Sequence, residues 1–219
     1  MKIIDIKTTI VNAEMRNWVF VKIITDQDIY GWGEATVEWK TRAVVGAIED
    51  LKPLLIGKDP RDIKQNFQIM TKHGFWKLGV IGMSAISGIE HALWDILGKS
   101  LNAPVWQLLG GKVRNKIKIY THLGMGDMKA VYRDTMEKNK LNEHAAALIE
   151  KGYKAFKVVF IPFTHHTNSV KNLEKVNQLM ASLRDEVGDD IDIMVDFHGR
   201  CASGISAIQY VKELQPYKP

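Results

Sequence analysis

The strongest constraint on what this chain can fold into is the order of its elements between Ile117 and Leu214. Strand pattern is followed by helix pattern three times over, with no hairpin turn between them. Ile117–Thr121, Phe156–Ile161 and Ile191–Asp196 read as strands, and Leu141–Lys151, Ser169–Glu186 and Ala202–Leu214 as helices. Strands separated in this way run parallel, with each helix as the crossover. Sheets built like this carry ligands at the carboxyl ends of their strands. Asp196 and His198 fall at that edge, together with His122 just past the first strand and Lys157 within the second.

The first half follows a different rhythm. Lys2–Asn12 and Trp18–Thr25 alternate apolar and polar side chains, and Ile29–Glu34 follows after Asp26-Gln27-Asp28, which reads as a three-stranded antiparallel meander. Helical periodicity covers Thr41–Ile56. Pro60 at a first-turn position opens a second helix over Arg61–Lys72. Gly74–Gly82 reads as a glycine-rich loop, Ser84–Gly98 as a strongly apolar third helix, and Val105–Leu109 as a short fourth that stops at Gly110-Gly111. Strands first and helices after make residues 1–112 an α+β unit, with residues 113–219 forming the βα unit.

Composition narrows the function classes. With 219 residues, 46% of them apolar, the chain can bury one large core or two modest ones and reads as an ordinary soluble globular protein. The formal charge of +5 and pI near 9.1 come from Lys and Arg interleaved with Asp and Glu, without a basic arm, zinc-finger spacing or RNA-binding aromatic signature. That argues against nucleic acid as a partner. The N-terminus lacks a signal-peptide pattern and no apolar run approaches membrane-spanning length, so no membrane role is expected. A single cysteine, Cys201, excludes an internal disulfide and suits a reducing cytoplasm.

Val195-Asp196-Phe197-His198-Gly199-Arg200 is the stretch richest in chemistry. Strand alternation turns Asp196 and His198 to one side, presenting a hard oxygen ligand and a proton-transfer group to one site. The alternative is that Asp196 caps the next helix and His198 is a loop residue.

With these elements in place, the chain closely resembles the enolase superfamily, in particular its mandelate racemase subgroup. Three stretches carry the resemblance: Gly31-Trp32-Gly33-Glu34; Ala92-Leu93-Trp94-Asp95-Ile96 with Pro104–Gly111; and Val195–Arg200, whose Asp-Phe-His-Gly-Arg run is similar to the galactonate dehydratase type. The resemblance implies an α/β protein: an N-terminal α+β capping domain (1–112) followed by a truncated TIM-type (β/α)8 barrel of three βα units (113–219). It implies Mg2+ bound through Asp196, and His198 as general acid in dehydration of an acid sugar to a 2-keto-3-deoxy acid. Such an acid typically contributes about a hundred- to ten-thousandfold. Racemases of the subgroup carry a Lys-X-Lys pair on the second barrel strand, whereas here Lys157 is followed by Val158 and Val159. The second lysine base is therefore missing, and Lys157 is left to neutralise a substrate carboxylate.

The barrel strands bearing the other metal carboxylates and the base have no counterpart among these residues. The resemblance therefore implies a homo-oligomer or association with a separate C-terminal barrel half, and a non-catalytic fragment or an interaction subunit pairing with that half is the alternative to an enzyme. His122 and Arg16 are further candidate substrate contacts, Arg16 with Asn17, Trp18 and Glu38–Arg42 lying where cap loops of the superfamily close over substrate. His165-His166 suit substrate contact better than chelation. Gly124-Met125-Gly126 lacks the third glycine of a dinucleotide fingerprint, and Gly110-Gly111-Lys112 the frame of a phosphate loop. Trp94 and Trp106 are expected to pack at the junction of the two domains, and Cys201 to be inert.

Overall fold

The computed structural model describes residues 1–123, 137–164 and 166–219, which form two compact units, Met1–Asn115 and Lys116–Pro219. In the first, strands β1 (Ile3–Ala13), β2 (Arg16–Thr25) and β3 (Tyr30–Glu34) make an antiparallel meander in that order. Helices α1 (Thr41–Leu55), α2 (Ile63–Lys72), α3 (Gly79–Leu101) and α4 (Val105–Leu108) follow. Alternation turns Val19, Val21 and Ile23 inward onto a core completed by Val44, Ile48 and Leu51 of α1 and Ile86, Ile89, Leu93 and Ile96 of α3.

Gly31 and Gly33 lie on the buried face of β3. A Cβ at Gly31 would stand 2.0 Å from the Ala92 carbonyl oxygen, and one at Gly33 1.9 Å from that of Gly88. The helix backbone therefore rests directly on the strand, and only glycine fits.

The helix ends differ from the sequence expectations. α3 begins at Gly79 and runs to Leu101, so the expected glycine-rich loop over Gly74–Gly82 shrinks to the residues before Gly79. It ends where Asn102 turns left-handed (φ 50°) and the Ala103 N–H bonds the Gly98 carbonyl. Contrary to the expectation that no apolar run approaches membrane-spanning length, α3 is long and apolar enough by length and composition. Its Ala85, Ile86, Ile89, Ala92, Leu93 and Ile96 are instead buried in the first unit's core. α2 starts at Ile63 rather than Arg61, because Asp59 captures the Arg61 backbone N–H and guanidinium in a turn ahead of it.

The second unit contains β4 (Thr121–Leu123), α5 (Lys138–Glu150), β5 (Ala155–Val158), α6 (Val170–Val187), β6 (Asp192–Val195) and α7 (Gly204–Leu214), with a final 3-10 turn, Gln215–Tyr217. Its strands pair in parallel in the order β4-β5-β6. Leu123, Phe156, Val158 and Ile193 pack under Leu141, Ala145, Val176, Met180, Leu183 and Tyr210.

All three strands are shorter than their apolar runs. Upstream of Thr121 the neighbouring chain is the Lys151–Lys154 turn, which lines a cavity with Lys118 and Ile119, so the expected strand over Ile117–Tyr120 has no extended neighbour there. Beyond Val158 the ladder stops where its partner β6 ends at Val195, although Val159, Phe160 and Ile161 are all buried.

Candidate active site

In the parallel ladder His122 is level with Lys157, and Lys157 with Met194. Their sequence neighbours Leu123, Phe156, Val158 and Ile193 belong to the helix-covered core, so alternation places this row on the opposite face of the sheet. Asp196 lies just past the end of β6, its N–H donating to the Val158 carbonyl at 2.9 Å.

The Lys157 Nζ donates to Asp196 Oδ2 at 2.9 Å, and both side chains are mostly buried. His198 approaches the same carboxylate twice: its backbone N–H donates to Oδ1 at 2.8 Å, and Nδ1 lies 3.3 Å from Oδ2. The structure thus joins Asp196, His198 and Lys157 in one cluster. The His198–Asp196 approach is not made by strand alternation, because the strand has already ended at Val195. A turn makes it, with His198 at φ 44° and Gly199 at φ 65°, and the Asp196 side chain bonded two residues on. The capping alternative is excluded: the α7 cap is Ser203, whose hydroxyl accepts the Ser206 N–H.

Electrostatics separates the roles. Burial would raise the Asp196 pKa, but hydrogen bonds from the Lys157 ammonium and the His198 backbone outweigh it and hold the carboxyl below its usual range. Burial, reinforced by the Lys157 charge, pushes His122 below the usual imidazole range, with Asp196 acting the other way. The cluster therefore offers an anionic oxygen donor, a cation and two imidazoles on one sheet edge. Asp196 is a suitable hard ligand, but the described residues include no group of three or more His, Cys, Asp or Glu side chains able to hold a metal ion. One carboxylate does not fill the octahedral oxygen shell of Mg2+, so these residues do not form a Mg2+ site by themselves.

The other sequence candidates are placed as follows. Arg16 lies in the first unit at the start of β2, its guanidinium 2.5 Å from Glu38. Val159, where the second lysine of a Lys-X-Lys pair would fall, is buried. His166 is exposed, whereas His165 and Gly124-Met125-Gly126 lie outside the described residues. Trp94 packs against the first core, but Trp106 is half exposed beneath the Lys112 ammonium. Residues given no role from sequence also shape the site: Arg200 is buried, and Thr164 bridges to Cys201. The only signal for them was an arginine directly after the His198-Gly199 pair.

Residues 2–110 match the N-terminal domain of the mandelate racemase/muconate lactonizing enzyme family, and residues 140–219 match the enolase C-terminal domain-like family. The chain belongs to the mandelate racemase/muconate lactonizing enzyme group of the enolase superfamily, as an N-terminal α+β domain followed by part of a (β/α) barrel. Among its relatives it is similar to D-galactonate dehydratase of Klebsiella pneumoniae (strain 342), 42% identical over 202 residues covering 92% of this chain and 50% of that protein. It is likewise similar to D-galactonate dehydratase of Cronobacter sakazakii (strain ATCC BAA-894), at 41% identity and the same coverage. The chain spans about half the length of the curated relatives it matches.

Solved structures agree on the fold. An enolase superfamily member from Salmonella Typhimurium superposes with a TM-score of 0.89 at 31% identity, covering 99% of this chain and 59% of that one. An enolase from Pantoea ananatis with bound D-gluconate and Mg superposes with a TM-score of 0.84 at 29% identity, covering 99% of this chain and 58% of that one.

Proposed function

We propose that this chain contributes the cap and one edge of the active site to a Mg2+-dependent acid-sugar dehydratase, a cytoplasmic hydro-lyase with galactonate as the leading candidate substrate and a 2-keto-3-deoxy acid as product. The observation that carries the reading is the meeting of Asp196, His198 and Lys157 at the carboxyl edge of the parallel sheet. The galactonate dehydratase relatives and the gluconate- and Mg-containing neighbour support the substrate class.

Asp196, kept ionised by Lys157, would supply one oxygen donor. When bound, Mg2+ would stabilise charge developing on the substrate carboxylate. His198 would deliver a proton to the departing hydroxyl, which leaves as water, and would take up a proton from solvent before the next turnover. Lys157 would balance the charge of the substrate carboxylate, with His122 beside it as a polar contact on the same face. Arg16 would be a further substrate contact. The remaining metal donors and the base that removes the α-proton would come from polypeptide outside these 219 residues. The second reading, an interaction subunit without activity of its own, is favoured by the single carboxylate in the described cluster.

The test joins this chain to the remaining part of the Klebsiella relative and replaces Asp196 by Asn. We expect Mg2+-dependent galactonate dehydration to fall more than about a hundredfold, beyond the usual loss for an outer-shell partner, with an unchanged circular dichroism spectrum. Undiminished turnover at low Mg2+ would refute the assignment.

A further inference from the structure

We propose that Arg200 is the positioning residue of the Asp196–His198 turn, a buried brace that holds His198 against Asp196 from the neighbouring loop. Its importance for catalysis rests on the dehydratase reading above, but the brace itself does not.

Past Val158 and Val195 the chains following β5 and β6 separate, then rejoin at the parallel bridge between Thr164 and Cys201. The rejoining is made by two backbone bonds: Thr164 N–H donates to the Arg200 carbonyl at 2.9 Å, and Ala202 N–H to the Thr164 carbonyl at 3.2 Å. Between these points lie two short loops, and the second carries Asp196 and His198.

Arg200 crosses from one loop to the other. It is 2% exposed, its Nη1 donates to the Ile161 carbonyl at 2.8 Å, and its guanidinium carbon lies 4.8 Å from the centre of the Phe163 ring. Its own N–H donates to the Phe197 carbonyl at 2.8 Å and closes the turn. That turn needs bracing, because a non-glycine residue with positive φ is sterically costly and His198 is followed by a second left-handed residue, Gly199. A buried guanidinium cannot leave its carbonyl without a desolvation penalty, so displacing the turn requires both loops to move together. The distance of the His198 ring from Asp196 is therefore set partly by Arg200, acting through the Ile161 carbonyl, the Phe163 ring and the Phe197 carbonyl.

The experiment is amide hydrogen exchange by NMR on the 219-residue chain, comparing the native protein with Arg200→Lys, which keeps the charge but loses the planar fork and the ring contact. We expect exchange at His198, residue 200 and Thr164 to accelerate at least tenfold, while Ile193–Val195 and the interior of α7 keep their rates. No change at His198 would overturn the proposal. So would uniform acceleration through β6 and α7, which is the signature of a residue that only stabilises the fold. If Arg200→Lys does not fold, Phe163→Leu, which removes only the ring beneath the guanidinium, is judged by the same pattern and the same two overturning results.

In the joined enzyme the brace predicts a kcat at least tenfold lower for Arg200→Lys with KM within twofold, and an unchanged kcat would overturn its part in catalysis. Because exchange requires no turnover, an inactive protein showing the local pattern would fail the dehydratase reading and leave the brace standing.

Discussion

His198 occupies a left-handed backbone position, and Asn is among the residues that tolerate it best. His198→Asn in the joined enzyme should therefore keep the turn while removing the proton donor. We expect dehydration to drop about a hundred- to ten-thousandfold, while exchange of the substrate α-proton with solvent, followed by NMR, continues. Parallel loss of both would show that His198 is not confined to the acid role. A second residue gives a pH signature away from the site. Hydrogen bonds from Arg61 lower the Asp59 carboxyl from 3.8 to about 2, burial acting against them. A depressed carboxylate contributes stability that is present in full above the unfolded value of 3.8 and is lost as pH falls through about 2. Urea unfolding of Asp59→Asn should thus fall short of the native protein at pH 5, with the gap narrowing between pH 3.8 and 2. A gap that stayed constant would remove Asp59 from the acid response.

At the scale of elements, the contact of β3 with α3 is made backbone to backbone. Gly33→Ala would place a methyl group 1.9 Å from the Gly88 carbonyl oxygen, an atom that cannot rotate away. We expect a loss of about 3 kcal/mol, the upper range for overpacking, measured by urea unfolding. A loss below about 1 kcal/mol would mean that α3 slides easily on the sheet. The Gly-Trp-Gly spacing was visible in the sequence, but its cause was not, because periodicity carries no information about how closely a helix approaches. Strand lengths failed for a related reason. Apolar runs record which residues are buried, whereas a strand also needs an extended neighbour, and Val159–Ile161 are buried without one in the ladder.

For the whole molecule, the second unit's sheet ends at β4 on one side and β6 on the other, with no partner strand on either outer edge among the described residues. Unpaired edges of this kind recruit other strands. We expect the purified 219-residue chain to be inactive on galactonate and to associate, read by light scattering after size exclusion together with a dehydration assay. A monomer that turns over an acid sugar with Mg2+ would contradict both the edge argument and the assignment of the missing donors to other polypeptide. The sequence by itself determined the order and type of the elements, the parallel direction of the later strands and the edge at which Asp196, His198, His122 and Lys157 would gather. These follow from periodicity and connection length, which are local properties of the chain. Only the tertiary structure decided that a left-handed turn brings His198 to Asp196, that Lys157 closes on the same oxygen and that Arg200 ties the two loops together. Those contacts join residues up to 39 positions apart across neighbouring strands, and their geometry exists only once the sheet has set its register.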